Sequence, residues 1–479
     1  MSKKSAAPEL SRREFLGSSC CAAVGATGIL STLANLRLIG AVARADNGPQ
    51  TPSRAGAVGS DYKALVCLFL NGGNDANNLI VPNDTAGYAA YAAARVNLAL
   101  PQTGLLPISP RTSDGRAWAL HAAVPELRNL FASGKAAILG NVGTLVYPTT
   151  KVQYTAGTVP LPRQLFSHSD QQVQWQNSVP DKPSSTGWGG RLADLVNTFN
   201  TSNDISMSIS LAGVNYFQVG AKVAQYAVGT GGATTFNGST ARSGNDFVRY
   251  TAQKDLFAQA QPGLLEAAFG GLTNSAIGSA DLLNGVLAGS QPVTTVFPNT
   301  TAGNQLKMVA RLIAASPNLG LRRQVFFVQL GGWDTHAAQL NNATPTSGAH
   351  ADLLAQVSQA MNAFYNATVE LGIPNQVTTF TASDFGRTFR TNGDGSDHGW
   401  GSHQLVMGGA VKGTDIYGKM PTLTLNGPDD TSLGRWIPTT SVDEYAATLA
   451  KWFGVSATDM STVLPNIGRF KTPDLGFLA

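Results

Sequence analysis

Three largely apolar runs, each followed closely by glycine or a carboxylate, constrain the fold of this chain more than any other feature. They read ALVCLFL (residues 64–70), QVFFVQL (324–330) and QVTTFTA (376–382). Runs of this kind are typical of strands that are buried on both faces. The intervening segments include amphipathic helical patterns such as the one over residues 350–372. Strands alternating with helices predict an α/β fold with a doubly wound, mostly parallel sheet and helices on both faces.

Further segments extend the same pattern. A strand is expected in AAILGNV (136–142) and another at the start of HQLVMGGAV. The segment SVDEYAATLAKWFG begins with Ser441-x-x-Glu444, a capping-box pattern that predicts a helix start. Other helices are expected over residues 121–135, 187–199 and 304–315.

The N-terminal 45 residues have the pattern of a secretory signal. Two adjacent arginines in SRREFLG (11–17) precede a mild apolar stretch and the small-x-small sequence Ala43-Arg44-Ala45. The arginine pair resembles the twin-arginine type, which a receptor reads as an address. We therefore expect residues 1–45 to be a signal peptide that directs the chain through the twin-arginine export machinery to the periplasm. The alternative is a chance arginine pair before a buried helix.

The predicted mature chain, residues 46–479, is expected to form one domain. Within it, residues 214–300 are rich in Gly, Thr, Ser and Gln. Such a composition predicts a loop-rich insertion, which could cover a site.

The mature chain carries no signal for nucleic-acid binding or membrane insertion. The full chain has 33 basic and 29 acidic residues, and removal of the predicted signal leaves 27 of each. A nucleic-acid-binding domain would need a basic face, which a neutral balance does not indicate. No apolar run after residue 45 approaches the ~20 residues of a membrane-spanning helix.

Polar side chains that can bind metals follow the predicted strands. Asp75 lies in NGGNDANN after the first strand, Asp334 and His336 lie in GGWDTH after the second, and Asp384 follows the third. In open α/β sheets, ligands bind at the carboxyl ends of strands. Asp and His two residues apart in an extended backbone project to the same side and can reach one metal ion. The alternatives are an Asx turn at Asp75 and a simple Asp–His hydrogen bond after the second strand.

The stretch TASDFGRTFRTNGDGSDHGWGSH (381–403) concentrates further candidates in a glycine-rich loop. Asp397, His398 and His403 could join Asp384 around zinc, manganese or a similar ion. Arg387 could receive an anionic substrate through its planar guanidinium group. Solvated polar loop residues are the alternative interpretation.

A candidate nucleophile lies in FSHSDQQVQWQ (166–176). Ser167 and Ser169 flank His168, and Ser167-x-x-Asp170 has the spacing of a helix cap. A serine at a helix N-terminus could also attack a substrate, because the backbone amides there stabilise negative charge. The segment therefore fits either a cap or a catalytic serine.

Several common catalytic motifs do not occur. The chain has no GxGxxG opening a helix and no GxxxxGK[ST], which are phosphate-binding loops of nucleotide enzymes. It also has no GxSxG nucleophile elbow. These absences disfavour nucleotide-dependent and α/β-hydrolase chemistry of those kinds.

The motifs taken together resemble the family of exported proteins that carry the domain of unknown function 1501. The matching segments are the twin-arginine signal, LFLNGGNDANNLIVP, FSHSDQQVQW, GWGGRL, LGGWDTH, TASDFGRT, SDHGWGSHQLVMGGAVKG and DEYAATLAKWFGV. They occur in order over nearly the whole predicted mature chain. The family is regarded as related to the alkaline phosphatase and sulfatase superfamily.

That resemblance implies an alkaline-phosphatase-like fold and a site with two divalent metal ions. Carried over in chain order, the implied ligands and nucleophile are Asp75, Ser167, Asp334 with His336, Asp384 or Asp397 with His398, and His403. The Asp-x-His spacing at residues 334–336 is closer than the superfamily's usual Asp-x-x-x-His, and Phe385 rather than His follows Asp384. The Cys/Ser-x-Pro-x-Arg signature of sulfatases is absent, which argues against a sulfatase.

The resulting expectation is an exported, metal-dependent hydrolase that acts on a small phosphate ester or a related anionic ester. Ser167 would be the nucleophile, Arg387 would orient the anion, and the two ions would be zinc, manganese or similar metals. The alternative is a non-catalytic exported protein on the same fold, which binds a carbohydrate or a protein partner and has a degenerate metal site.

Overall fold

The computed structural model describes residues 58–59, 61–239, 241–259, 263–340 and 344–479. The predicted signal peptide lies outside these residues. The described chain divides into two compact units, one made of residues 237–278 and the other of the remaining residues on either side of it. The larger unit contains the sheet and the candidate site.

The described residues of the larger unit form a nine-stranded sheet and a separate three-stranded antiparallel sheet. The twelve strands are β1 (Lys63–Leu70), β2 (Ile80–Pro82), β3 (Leu106–Ile108), β4 (Trp118–Leu120), β5 (Ala136–Gly143), β6 (Ser208–Ser210), β7 (Tyr226–Ala227), β8 (Arg323–Leu330), β9 (Val377–Ser383), β10 (Ser402–Gly408), β11 (Ile416–Gly418) and β12 (Thr440–Ser441). The large sheet has the order β11-β5-β10-β9-β1-β8-β6-β7, with β12 also paired to β5, and the small sheet has the order β2-β4-β3.

Eleven α-helices accompany these strands in the described residues. They are α1 (Thr85–Arg95), α2 (Pro125–Ala132), α3 (Lys151–Ala156), α4 (His168–Asn177), α5 (Trp188–Val196), α6 (Gly244–Ala258), α7 (Leu264–Gly289), α8 (Thr301–Ala314), α9 (Ala349–Glu370), α10 (Val442–Phe453) and α11 (Met460–Val463). Helices α2, α8 and α9 pack together in one layer, and α4, α5, α10 and α11 pack together in another.

The central strand β1 is buried on both faces, as its apolar run predicts. The seven residues after its first are at most 3% exposed. Cys67 lines a small internal gap together with Trp188 of α5. Because side chains alternate along a strand, Val66 and Leu68 face the other layer, and both are fully buried. The prediction of a doubly wound α/β fold with helices on both faces is confirmed.

The strand directions bring the loops of interest to one edge of the sheet. β1 pairs in parallel with both β8 and β9, so the carboxyl ends of these three strands are neighbours. β10 runs antiparallel to β9 and to β5, and among the described strands of this sheet it is the one reversed strand. An antiparallel strand begins where its neighbour ends. The loop from β9 to β10 therefore starts and finishes at the same edge.

The segment over residues 214–300 differs from the expected loop-rich insertion, because it contains the two helices α6 and α7. Helix α7 is 26 residues long and contains alternating groups of Ala and Leu, which are good helix formers. These residues outweigh the glycines that suggested loops. In the smaller unit, the rings of Phe257 and Phe269 meet edge to face with centroids 6.1 Å apart.

One predicted helix is shorter than expected. Residues 121–135 were assigned helical spacing by sequence, but α2 begins at Pro125. Proline is favoured at the first position of a helix because it has no backbone N–H to donate there. Residues 121–124 follow β4 and form a turn in which Val124 N donates to the His121 carbonyl.

No helix in the described part of the chain combines the length and the apolar character that a crossing of the bilayer requires.

Candidate metal centre

Four side chains converge at the edge of the sheet where β1, β8 and β9 end. One donor atom from each of His168, Asp334, His336 and His398 lies within 4.8 Å of the other three. The Nε2 atoms of His168, His336 and His398 are 3.3, 3.2 and 3.6 Å from Asp334 Oδ1. Among the described residues, this is the one group of three or more such side chains with metal-binding spacing.

The four donors come from three separate segments of the chain. His168 is the first residue of α4, which follows the left-handed Phe166 and the N-cap Ser167. Asp334 and His336 lie on the loop after β8, and His398 lies on the loop between β9 and β10. Three chain segments that are distant in sequence thus contribute to one cluster.

The ring orientation of all three histidines is set by oxygen atoms. Nδ1 of His168 lies 2.7 Å from Asp384 Oδ2, and Nδ1 of His336 lies 3.0 Å from Asp397 Oδ1. Nδ1 of His398 lies 2.7 Å from the carbonyl oxygen of Phe166. An oxygen acceptor requires the proton on Nδ1, so each neutral ring presents an Nε2 lone pair. Histidine ligands of metal sites are commonly held by carboxylates and carbonyls in this way.

These donors fit a divalent metal ion. His336 Nε2 and His398 Nε2 are only 2.7 Å apart, and two lone pairs at this distance repel unless a proton or a cation lies between them. His168 Nε2 is buried and makes no hydrogen bond within the described residues. A tetrahedral zinc ion with bonds of about 2.0 Å places its ligands about 3.3 Å apart. The 3.2, 3.3 and 3.6 Å separations from Asp334 Oδ1 are close to that value, whereas the 2.7 Å between His336 Nε2 and His398 Nε2 is shorter.

Arg387 holds the carboxylate of the cluster. Its side chain is 0% exposed, its Nη1 donates to Asp334 Oδ1 over 2.8 Å, and its Nη2 donates to the Ser396 carbonyl over 2.6 Å. The expectation that Arg387 receives an anionic substrate does not match this placement, because solvent does not reach the guanidinium group. Its contacts make it a positioning residue for Asp334.

The donors differ in how readily they lose their protons. Burial disfavours the charged form of Asp334, but the hydrogen bond and charge of Arg387 lower the pKa of this carboxyl below its ordinary value. Burial lowers the pKa of His398, so this ring is neutral. The hydrogen bond to Asp384 raises the pKa of His168, against a smaller effect of burial. A cation must therefore displace a proton from His168 at mildly acidic pH.

Two of the carboxylates predicted to bind metal contact histidines in this structure. Asp384 accepts from Gly72 N over 3.0 Å with Oδ1, and its Oδ2 is occupied by His168 and Gln172. Asp397 accepts from Asn392 and holds His336. The strand-end position of Asp384 is as predicted, but the buried carboxylate faces the back of the His168 ring. Neither residue belongs to the four-donor cluster.

Asp75, another predicted ligand, lies outside the cluster. It is fully buried and forms an ion pair with Arg95, and its Oδ2 also accepts from Gln339 Nε2 over 2.7 Å. Burial alone would raise the pKa of Asp75, but Arg95 is the main cause that lowers it overall. Gly72 and Gly73 before Asp75 have positive φ values, and the Asp75 carboxylate pairs with the last residue of α1 instead of joining the cluster.

His403 is also outside the cluster. It is the second residue of β10, and its Nδ1 accepts from Asn141 N of β5 over 3.0 Å. The β5–β10 register shifts between Ser402 and Gln404, at this residue. Burial lowers the pKa of His403 to about 3, so it is a neutral ring between strands. His121 and His350 are likewise outside the cluster.

Ser167 lies beside the cluster as the N-cap of α4, but its side chain makes no capping bond. Its Oγ donates to Asp170 Oδ2 over 2.7 Å, and Ser169 Oγ is 3.2 Å from Ser167 Oγ. The cap predicted from Ser167-x-x-Asp170 is therefore replaced by a side-chain pair. A hydroxyl bonded to a carboxylate directly before His168 remains a candidate nucleophile.

His168 itself is the donor that the sequence pattern did not identify. The sequence of this segment predicts a serine nucleophile or a helix cap, but it predicts no function for the histidine between the two serines. The available signal was scarcity, because the chain has six histidines in 479 residues. Three of the six are in the cluster.

Several solved structures have a low overall similarity to this chain. The PsFucS1 sulfatase from Pseudoalteromonas sp. has a TM-score of 0.34 and 11% identity, over 94% of this chain and 76% of that one. The C-terminal periplasmic domain of EcEptC from Escherichia coli, in complex with Zn, has a TM-score of 0.33 and 11% identity, over 89% and 92%. The soluble domain of lipooligosaccharide phosphoethanolamine transferase A from Neisseria meningitidis has a TM-score of 0.32 and 10% identity, over 87% and 95%. At these TM-scores the similarity does not support an assignment of function.

Sequence comparison identifies the family of this chain. No curated protein matches the chain. The profile described as "Protein of unknown function (DUF1501)" matches residues 62–433, which include β1, the four-donor cluster and β10. The chain belongs to this DUF1501 family.

Proposed function

We propose that this protein is a metal-dependent hydrolase of phosphate or related anionic esters, with one divalent cation bound by His168, Asp334, His336 and His398. The observation that carries the proposal is the convergence of three Nε2 atoms, each on a ring whose Nδ1 faces an oxygen, around one carboxylate oxygen. Imidazole and carboxylate donors in this ratio suit zinc, with manganese or a similar ion as a second choice.

One ion, rather than the two expected from the resemblance, fits the donors that face the centre. The carboxylates of Asp75 and Asp384 are 0% exposed. Both oxygens of Asp384 are bonded to other groups, as is Asp75 Oδ2, whereas Asp75 Oδ1 has no hydrogen-bond partner among the described residues. A second ion bound by Asp384 or by Asp75 Oδ2 would require these buried oxygens to leave their partners. Leaving Arg95 without Asp75 would expose an uncompensated buried charge, which is costly.

A bound divalent ion would supply Lewis acidity toward an ester oxygen and would favour ionisation of a bound water molecule. The chain's own residues shape access to that position. Asp334 is 47% exposed and His336 is 43% exposed, so one side of the cluster is open to solvent and to a substrate. Asp384, Asp397 and the Phe166 carbonyl hold the three rings from behind.

Ser167 is the proposed nucleophile, with Ser169 as the alternative. As Ser167 Oγ forms a bond to the phosphorus or other ester centre, Asp170 Oδ2 would accept the hydroxyl proton along their 2.7 Å hydrogen bond. The bond from that centre to the leaving oxygen breaks, and the alkoxide takes a proton from solvent water. A water molecule then attacks the centre and gives up a proton to solvent, and the bond to Ser167 Oγ breaks. Asp170 could return its proton in that second step.

The test combines metal analysis with a substrate screen. Purified protein is expected to hold about one zinc per chain and to hydrolyse at least one chromogenic phosphate monoester, diester or sulfate ester. His398→Ala should lose both properties, and Ser167→Ala should lose turnover but keep the metal. As a matched control, His121→Ala removes a histidine outside the cluster and should keep the metal. A wild-type protein that binds no divalent ion would disprove the proposal.

The alternative function, a non-catalytic exported protein that binds a carbohydrate or a protein partner, is favoured by one observation. Four protein donors already complete a tetrahedral ion, which is typical of structural sites, whereas catalytic zinc usually keeps one position open. This interpretation predicts tight metal binding without turnover of any ester. It also predicts that Ser167→Ala changes neither metal binding nor partner binding.

We also propose that residues 1–45 direct export to the periplasm by the twin-arginine route. The proposal rests on the Arg12-Arg13 pair, the apolar stretch and the Ala43-Arg44-Ala45 sequence. Replacement of both arginines by lysine should leave an uncleaved precursor in the cytoplasm. Arg37→Lys, a change in the same segment outside the motif, is the control and should be exported normally.

A further inference from the structure

A second arginine, Arg435, lies against two residues of the metal centre and differs from Arg387 in exposure. Its Nε donates to the backbone carbonyl of His398 over 2.8 Å, and its guanidinium carbon lies 4.9 Å from the centroid of the Phe166 ring. Phe166 is the residue whose carbonyl orients His398. Arg435 is therefore tied to the same two residues that present one of the metal-binding rings.

The side chain of Arg435 is held in place, but not all of its N–H groups are used in hydrogen bonds. Apart from its bond to His398, Nη1 donates to Ser432 Oγ over 3.1 Å. Arg435 is partly exposed, and no ion pair in the described part of the chain includes it. Nη2 makes no hydrogen bond to the described residues and is not among their buried polar atoms without partners. Its two N–H groups therefore face solvent.

The stacked geometry suits recognition of a planar or tetrahedral oxyanion. Packing on an aromatic ring fixes the plane of a guanidinium group, so less side-chain freedom is lost when it binds a ligand. Arginine N–H groups bond strongly to phosphate and carboxylate oxygens. Arg387, in contrast, is 0% exposed and bonded to Asp334.

Consecutive residues connect this arginine to the reacting groups of the proposed function. Phe166 carries the stacked Arg435, Ser167 is the candidate nucleophile, and His168 is a metal ligand. We infer that Arg435 is the residue that contacts the anionic group of the substrate, so that the substrate's oxyanion bridges the metal position and the free edge of this guanidinium. The inference rests on the proposed function and narrows its substrate to esters with at least two anion oxygens available for binding.

Inorganic phosphate is a suitable probe, because it carries the oxyanion without an ester bond. Phosphate binding to the purified full chain is measured by calorimetry at saturating zinc for the wild type, Arg435→Gln and Arg435→Lys. We expect Arg435→Gln to bind phosphate about 10- to 100-fold more weakly, since hydrogen bonds to charged groups have this magnitude. Arg435→Lys should recover part of the affinity through its charge. The control Arg322→Gln removes an exposed arginine that precedes β8, at the opposite edge of the sheet, and should bind phosphate as the wild type does.

Zinc affinity and thermal unfolding of the same variants separate recognition from structure. A purely structural role of Arg435 predicts weaker zinc binding or lower thermal stability, with unchanged phosphate affinity once zinc is saturating, and this result would overturn the inference. If the wild type binds zinc and phosphate but Arg435→Gln retains its phosphate affinity within twofold, the inference is wrong and the proposed function stands. If the wild type binds no zinc, the proposed function fails and the inference fails with it.

Discussion

His336 Nε2 and His398 Nε2 face each other at 2.7 Å, while Nδ1 of His336 lies 3.0 Å from Asp397 Oδ1 and Nδ1 of His398 lies 2.7 Å from the Phe166 carbonyl oxygen. Two imidazoles held in this manner present lone pairs to the same point. A cation at that point removes their repulsion, and the third imidazole and Asp334 complete its donors. The predictions below test this arrangement.

The first prediction concerns Asp384 as a positioning residue. Asp384→Asn weakens the acceptor for His168 Nδ1, so the ring is less firmly held with its Nε2 lone pair toward the centre. We expect zinc affinity to fall about 10- to 100-fold, as is usual when the partner of a histidine ligand is changed. Competition with a chromogenic chelator measures the zinc affinity. The control Asp61→Asn changes an exposed carboxylate before β1 and should leave zinc affinity unchanged. Equal affinities for wild type and Asp384→Asn would contradict the role.

The second prediction concerns Asp75, which the resemblance implied as a metal ligand. Asp75→Asn breaks the buried ion pair with Arg95 and leaves that charge uncompensated. The free energy of unfolding should fall by about 3–5 kcal/mol, which denaturant unfolding measures. The amount of zinc bound per folded chain should not change. A variant with wild-type stability that has lost its zinc would show that Asp75 is a ligand after all.

The third prediction concerns the pH dependence of metal binding. The hydrogen bond to Asp384 raises the pKa of His168 above its usual value of 6.5, so the metal-free protein keeps this proton to a higher pH than an ordinary histidine. Zinc must displace the proton, and its affinity should fall by about tenfold per pH unit below that pKa for one displaced proton. Chelator competition from pH 5 to 8 shows the pH at which the zinc affinity begins to fall, which is the onset of the effect. In Asp384→Asn the onset should move to lower pH, and an unchanged onset would argue against this cause.

The fourth prediction concerns Asp443, the second residue of α10, which is 1% exposed. Burial raises the pKa of this carboxyl to about 7, and Arg191 and Arg469 only partly oppose the effect. The native state therefore holds a proton that the unfolded state has lost between about pH 4 and pH 7. Asp443 consequently contributes stability at low pH that is lost as the pH rises to about 7, with a slope of at most about 1.4 kcal/mol per pH unit.

Asp443→Asn tests that prediction because its amide stays neutral at every pH. Urea unfolding at pH 5.5 and pH 8 should show the wild type losing stability relative to the variant as the pH rises. Asp459→Asn, a change at an exposed helix cap, should keep the wild-type pH dependence. The same pH slope in wild type and Asp443→Asn would rule out this titration.

Local patterns in the sequence were sufficient for much of the fold. The runs at residues 64–70, 324–330 and 376–382 coincide within one residue with β1, β8 and β9. The capping box at Ser441 and Glu444 is confirmed, with both of its reciprocal bonds present. These features depend on residues close in sequence, so they can be read without knowledge of the rest of the chain.

The sequence alone also determined where chemistry would be found, because parallel strands bring their carboxyl ends to one edge. Asp334, His336, Asp384 and His398 all lie at that edge, as the pattern of strands predicts. Only the tertiary structure decided which of them face the metal position. Asp384 points to the back of His168, and His403 packs at a register shift between β5 and β10. Both outcomes depend on contacts between segments far apart in sequence, and the spacing of residues within one segment carries no information about them.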